Sequence, residues 1–239
     1  MQALIQQMAR ENPRWGAPRI QGELRALRHD FSVRTVRRYR HLAHRRPPSQ
    51  RWRTFLRNHS PHIWATDLFT VQTVTLRTFY VLVVISHDRR RIEHWNVTPH
   101  PRASWIWQQI REATSWGRSP RFLIRDRDRA FGGDFVSRAA SLGITTVLTP
   151  VRAPNANAIA ERVSGTLRRE CLDHLIVINE RHLRRVLGKY IQHYNAMRPH
   201  RSLGMDSPEG RPRVARAPGT RLRRHVVLGG LHHEYTWAA

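Results

Sequence analysis

Three carboxylates, Asp67, Asp126 and Glu161, stand at positions where they could share divalent metal ions in a chain whose formal net charge is +25. With 42 basic residues against 17 acidic ones, few acids should be left without a local cation, so an acidic cluster in this chain needs a cause. Carboxylates are hard oxygen ligands suited to Mg2+ or Mn2+, and such ions promote displacement at phosphorus in a polyanion. Asp67 lies within HIWATDLFTV, flanked by apolar residues where an uncompensated charge is costly. Asp126 closes the apolar run FLIR in FLIRDRDRAF, and Glu161 falls in NANAIAERVSGTLRRE. On a helix, Glu161 stands about 200° round from the apolar Ile159, so it leaves the hydrophobic face and can look into a cleft.

The elements that must hold these acids follow from periodicity. Runs 63–69, 79–86 and 91–97 are rich in β-branched and aromatic residues and separated by short polar turns, which predicts three antiparallel strands. Ala103, Ile106, Trp107, Ile110 and Ala113 share one helical face. A strand over 121–125, a helix around 131–142, a strand over 144–148 and a helix from about Asn155 to Leu172 follow. Leu183, Val186, Leu187, Tyr190, Ile191 and Tyr194 form the stripe of a last helix beginning at Asn179. This order predicts an α/β fold, a mixed sheet flanked by helices. Asp67 then lies on the first strand, Asp126 at the tip of the fourth, and Glu161 on a later helix.

Residues 1–45 read as helices. Ala3, Leu4, Ile5 and Met8 give a short stripe ended by Pro13. Pro18 suits a helix first turn, with Ile20, Leu24 and Leu27 inward. Ser32 is a candidate N-cap for a helix that turns Val33 and Val36 inward and puts Arg34, Arg37, Arg38 and Arg40 mostly on the other sides. Two short helices of this kind, the second rich in arginine, suggest a small helix-turn-helix module whose second helix enters a DNA groove. An arginine-rich solvated helix is the alternative. Residues 46–60 mix Pro and Arg without periodicity and read as a linker, 61–200 as the core, and 201–239 as a basic C-terminal tail with one hairpin-like segment around Gly229-Gly230.

Composition narrows the partners. Hydrophobic residues at 40% can build a core despite the charge. A strongly basic balance favours a polyanion, because neutralising phosphates releases condensed counterions. The single Cys171 excludes an intramolecular disulfide and a cysteine-rich zinc knuckle. No apolar run spans a bilayer and no secretory h-region opens the chain, so no membrane role and a cytoplasmic location with access to DNA are expected. Residues 1–60 carry 14 Arg against 3 acids, while 61–200 carry 21 Lys+Arg against 11 acids. The less biased middle therefore reads as the enzyme-like core and the flanks as grips.

The order Asp, Asp, Glu, with 34 residues between Asp126 and Glu161, resembles the catalytic core of DDE-type insertion-sequence transposases and retroviral-type integrases. The local words are similar too: WATDLF around the first acid, IRD closing the fourth strand, Asn157-Ala158 ahead of Glu161, and RRECLDHLIVINERHLRRVLGKYIQHYNAMRPHRSLGMDSP beyond it. The resemblance covers roughly 61–210. It implies a ribonuclease H-like fold and two Mg2+ (or Mn2+) ions held by Asp67, Asp126 and Glu161, with Asp67 bridging both. It also implies metal-dependent cleavage and strand transfer of DNA at element ends, by a homo-oligomer assembled on DNA. Arg168, seven residues after Glu161, is placed to hold a DNA phosphate.

Two departures bear on these expectations. The chain reads IRDRD where the family commonly has glycine two residues after the second acid, so Asp128 is an alternative to Asp126; the latter is preferred because it directly follows the apolar strand. The resemblance also leads one to expect more DNA-binding helices upstream, which leaves open a shortened copy that binds DNA without catalysis. A ribonuclease H-like nuclease that cuts without joining is the third reading. The triad is weighed against single acids serving as turn residues or ion-pair partners, and Trp64, Trp105 and Trp107 against a core role, which is the one expected of them.

Overall fold

The computed structural model describes residues 2–12, 15–43, 52–115, 117–149, 157–211 and 216–238. The chain divides into two compact units, Met1–Thr54 and Phe55–Ala239.

In the first unit, α1 (Gln2–Glu11), α2 (Ala17–Ala26) and α3 (Val33–Ala43) close around Ile5, Ala9, Ala17, Ile20, Leu24 and Val36. Pro18 occupies the first turn of α2. Ser32 caps α3, its Oγ accepting from Thr35 N at 3.1 Å. Gln21 Nε2 donates to Phe31 O at 2.6 Å and ties α2 to the turn ahead of α3. Arg34, Arg37 and Arg38 are exposed, as the apolar stripe requires. Leu27 departs from expectation: α2 ends at Ala26, and Leu27 is 54% exposed because the chain leaves the helix there.

In the second unit a five-stranded mixed sheet runs in the order β3-β2-β1-β4-β5. Strands β1 (Ile63–Gln72), β2 (Thr78–Ser86) and β3 (Ile92–Thr98) form the expected antiparallel meander. Strands β4 (Phe122–Arg125) and β5 (Thr145–Leu148) add in parallel on the other side of β1. Helices α5 (Ala103–Thr114) and α6 (Phe135–Ser141) cover one face through Trp64, Val84, Ile106, Ile110, Leu123, Phe131, Phe135 and Ile144. Trp64 is buried there, with Trp105 and Trp107 packed against the same cluster, as expected of core residues. Helices α7 (Ala158–Glu170) and α8 (Glu180–Ala196) pack against β1, β2 and β3. Asn179 caps α8, its side chain accepting from His182 N.

Three sequence readings change. The segment 46–60, expected as a linker without periodicity, carries a helix, α4 (Trp52–His59); residues 44–51 lie outside the described ones. Phe55, His59 and Phe122 form a mutual ring cluster with centroids 5.0–5.2 Å apart, so burial on β4 holds the second half of this short helix. The expected helix over 131–142 is split. A 3-10 turn at Arg129–Phe131 is followed by Gly132 at φ +76°, where a Cβ would stand 2.8 Å from Ala103 Cβ, and α6 begins only at Phe135. The start of α7 near Asn155 falls outside the described residues. The segment 201–239 is more than a tail: β6 (Arg221–Val227) and β7 (His232–Ala238) form an antiparallel hairpin. The hairpin docks on α8 through His232, stacked on His193 at 5.0 Å, and Glu234, 2.8 Å from His193 Nδ1.

Helix α7 is locked to α8 by one carboxylate. Glu170 accepts from Tyr190 Oη at 2.7 Å and from Arg198 Nε at 2.7 Å, and Arg198 Nη2 closes a second bond to its other oxygen. Burial alone would push the Glu170 carboxyl up, but these donors hold it below its ordinary value. A carboxyl depressed in the folded state contributes stability that is present above its ordinary pKa and lost as pH falls through the folded value. Glu170→Ala is therefore expected to cost about 2 kcal/mol, as for charged hydrogen bonds whose partners are left behind. The gap to the parent protein should narrow below the ordinary glutamate range. Urea denaturation of both proteins across pH checks this, and equal stability at neutral pH would refute it.

Candidate functional site

The parity of β1 and β4 puts two of the three carboxylates on one face. Trp64 and Leu123 point into the cluster under α5 and α6. Asp67 and Asp126 are an odd number of residues away from these, so they emerge on the face covered by α7. The parallel register pairs Trp64 with Leu123 and Ala65 with Ile124, and carrying it two residues further sets Asp67 beside Asp126. β1 continues past that point while β4 ends at Arg125, so Asp126 sits at the strand tip as expected.

Helix α7 runs over this face and is stitched to β1 at three levels. Asn157 Nδ2 donates to Thr66 O at 3.0 Å, Ser164 Oγ to Asp67 Oδ2 at 2.5 Å, and Arg168 Nη2 to Thr70 O at 2.8 Å. The buried stripe of α7 is Ala160, Val163, Ser164, Thr166 and Leu167, and Glu161 lies outside it, exposed. Ser164, one turn beyond Glu161, is a residue sequence reasoning passed over. A hydroxyl shared with Thr166 on the buried stripe gave no sign of which residue it meets.

The acids feel one another. The Glu161 carboxyl is pushed up by desolvation and then by the charges of Asp67 and Asp126. That of Asp126 is pushed up by burial, opposed by a hydrogen bond from Asp128 N and reinforced by Asp128 and Asp67. Among the described residues none of the three acids has an ion pair with Lys, Arg or His within 4 Å, while nine other acids do. The remaining unpaired acids, Glu11, Glu23, Asp88, Asp128 and Asp173, are all exposed. Asp67 and Asp126 are thus the acids both withdrawn from water and left without a cation.

Asp128 is differently employed. Its Oδ1 accepts from Ala130 N at 2.9 Å and caps the 3-10 turn, while Asp126 Oδ1 accepts from Asp128 N at 3.1 Å. Arg168 lies along β1, its guanidinium 5.1 Å from the Phe69 ring centroid and bonded to Thr70 O. At Gly165 the missing Cβ makes room for the Arg169 guanidinium, whose Nη1 would stand 2.8 Å from a Cβ there. Among the described residues no three His, Cys, Asp or Glu side chains converge closely enough to enclose an ion by themselves. The donor set still fits Mg2+ or Mn2+: all ligands are hard carboxylate oxygens, their charge is uncompensated, and such ions complete their shells with water and substrate phosphate.

Comparisons with known proteins agree with this architecture. The integrase core domain family matches residues 142–208. The transposase InsF for insertion sequence IS3A of Escherichia coli (strain K12) is 28% identical over 225 residues, covering 84% of this chain and 77% of that protein. The insertion element IS476 uncharacterized 39.2 kDa protein of Xanthomonas euvesicatoria is 25% identical over 169 residues, 69% of this chain; the chain spans about half (48%) of that protein's length. Among solved structures, the HTLV-2 integrase catalytic core domain in complex with magnesium (dimeric form) superposes with a TM-score of 0.51 at 14% identity, over 63% of this chain and 95% of that one. The simian T-cell lymphotropic virus intasome in complex with PP2A regulatory subunit B56 gamma gives a TM-score of 0.54 at 12% identity, over 98% of this chain and 87% of that chain. The sheet order and flanking helices are those of ribonuclease H-like integrase cores, and over residues 142–208 the chain matches the integrase core domain family.

Proposed function

We propose that this protein is a transposase that cleaves DNA at element ends and joins it to a target, using divalent metal held by Asp67, Asp126 and Glu161. The observation that carries the reading is the pair of carboxylates without an ion pair, set side by side by the β1–β4 register, with Glu161 electrostatically coupled to both. The magnesium of the HTLV-2 core structure supports Mg2+ as the ion, and two ions are the number the triad is read to hold. Bound there, divalent ions would activate a water or DNA hydroxyl and stabilise the leaving oxygen.

The protein's own groups have separable tasks. Asp67 is fixed by Ser164 Oγ at one oxygen and Leu68 N at the other, which sets the carboxylate's orientation before any ligand arrives. Asp126 is preferred to Asp128 because it is half-buried and coupled to Asp67, whereas Asp128 is exposed and spent on a backbone cap. Arg34, Arg37 and Arg38, exposed on α3, serve as a DNA grip. Arg168 also faces solvent at the edge of β1 and lends a phosphate contact there. Dimeric and intasome assemblies among the structural neighbours support a homo-oligomer on DNA.

Asp67→Asn, Asp126→Asn and Glu161→Gln are each expected to abolish Mg2+-dependent nicking of element-end DNA while changing DNA affinity little, and Asp128→Asn to leave nicking within a few-fold of the parent. Retained cleavage in all three triad variants sinks the assignment. Ser164→Ala should lower the cleavage rate about tenfold without weakening DNA binding, because only the orientation of Asp67 is lost. An unchanged rate would show that Ser164 has no positioning role. In a filter-binding salt series, Arg34→Gln/Arg37→Gln/Arg38→Gln should flatten the slope of log affinity against log salt by about 0.9 for each phosphate that is no longer neutralised; an identical slope would mean that α3 is merely a solvated face.

A further inference from the structure

A second basic locus lies on α7 directly after Glu161. Arg162 lines a cavity of about 470 Å3 together with Arg90, Tyr194, Arg198, His200 and Arg201. These residues come from the β2–β3 turn, α7, the end of α8 and the turn after it. Among the described residues no acid lines the cavity. Arg198 is already neutralised by Glu170, but among the described residues Arg90, Arg162 and Arg201 have no ion pair. Burial draws the Arg90 guanidinium below its ordinary pKa and the charge of Arg162 adds to that, opposed by Tyr194 and Asp88.

Among the described residues, two that line this cavity carry a buried nitrogen without a partner. Arg90 Nη1 is shielded from solvent and unbonded, and so is Nε2 of His200, a residue only 8% exposed. The His200 ring packs edge-on against Tyr194 with centroids 4.7 Å apart and engages the Tyr194 backbone, which fixes its orientation. Arg90 reaches the cavity from a left-handed backbone, φ +60°, a conformation costly for a side chain of this kind. Buried polar nitrogens are normally satisfied, and unbonded ones beside mutually repelling cations are what an anion would complete.

We propose that this cavity is a phosphate site that takes a backbone phosphodiester of DNA, held by Arg90, Arg162, Arg201 and His200. Its assignment to DNA rests on the proposed function; the anion chemistry of the cavity does not. Arg162 ties the site to the carboxylates by sequence adjacency, so a strand bound here is anchored within one residue of Glu161. Burial and Arg198 hold the His200 ring toward its neutral form, and a bound anion favours the charged ring. The imidazole thus reports occupancy.

The experiment follows the His200 ring resonances of the 239-residue protein, labelled with 13C-histidine, during titration with duplex DNA and separately with inorganic phosphate. A saturable shift with duplex is expected, abolished in Arg162→Gln/Arg201→Gln and kept in Arg223→Gln/Arg224→Gln, two exposed arginines on β6. The Arg162/Arg201 variant should also lose about one unit of salt slope on DNA. Because both substituted residues are exposed, its thermal melt should match the parent's. A response to inorganic phosphate that duplex does not displace would assign the cavity to a free anion and overturn the DNA assignment. No response to either, or an unchanged response in the double variant, overturns the site itself. Asp67→Asn protein should give the parent's His200 response, so loss of the phosphate site and failure of the strand chemistry are read separately.

Discussion

The parallel pairing of β1 with β4 is the constraint on which the rest depends. Successive side chains on a strand alternate between faces, so a shift of one residue in this register would send Asp67 or Asp126 into the apolar cluster under α5 and α6. The register is held by what lies on either side of the acids. Trp64 and Leu123 fill that cluster, and Ala65 and Ile124 are fully buried on the opposite face. Hydrophobic burial thereby places two like charges next to each other, an arrangement electrostatics alone would resist. Five strands and two helix layers supply the burial of apolar surface that offsets this repulsion.

Helix α7 converts that pair into a site. Its three ties to β1, through Asn157, Ser164 and Arg168, fall on Thr66, Asp67 and Thr70, so one face of the helix follows the strand along its length. Glu161 is displaced from the buried stripe and meets the field of both aspartates without being packed against them. The far end of α7 is secured independently, by Glu170 to Tyr190 and Arg198. A helix pinned at both ends leaves its middle carboxylate little freedom in position while the side chain itself stays open to solvent.

Much of this was legible in the sequence because it is written in periods of two and 3.6. The meander, the two later strands, the stripe of α8 from Leu183 to Tyr194, its start at Asn179 and the Ser32 cap all follow from local pattern. What escaped did so for physical reasons. Helix α4 is only eight residues long, and its ring cluster needs Phe122, far along the chain, to become stable. Gly132 splits a helical pattern because its positive φ and the close approach of Ala103 are tertiary facts. The order of the three acids was readable, but Ser164 as the partner of Asp67 was not, since a serine among apolar neighbours carries no directional signal. The cavity around Arg90, Arg162 and His200 unites segments distant in sequence, and an arginine's spacing does not tell whether it meets water or another arginine.

A basic chain can keep three acids free only by holding its own cations away from them. The arginines nearest in sequence to the carboxylates are each occupied elsewhere. Arg125 turns to the opposite sheet face, its guanidinium 4.8 Å and 5.0 Å from the ring centroids of Phe131 and Phe135. Arg127 donates to Thr149 O at 3.1 Å. Arg168 lies on Phe69, Arg169 folds over Gly165, and Arg162 enters the cavity with Arg90. Ring faces, main-chain carbonyls and a glycine gap thus compete for guanidinium groups that would otherwise pair with Asp67, Asp126 or Glu161. On the proposed function, a salt bridge to any one of them would neutralise the charge a metal ion would need, and would place a cation where substrate phosphate would approach. On the proposed function, the arginine surplus can serve DNA binding without quenching the acids because the fold turns each nearby arginine away from them.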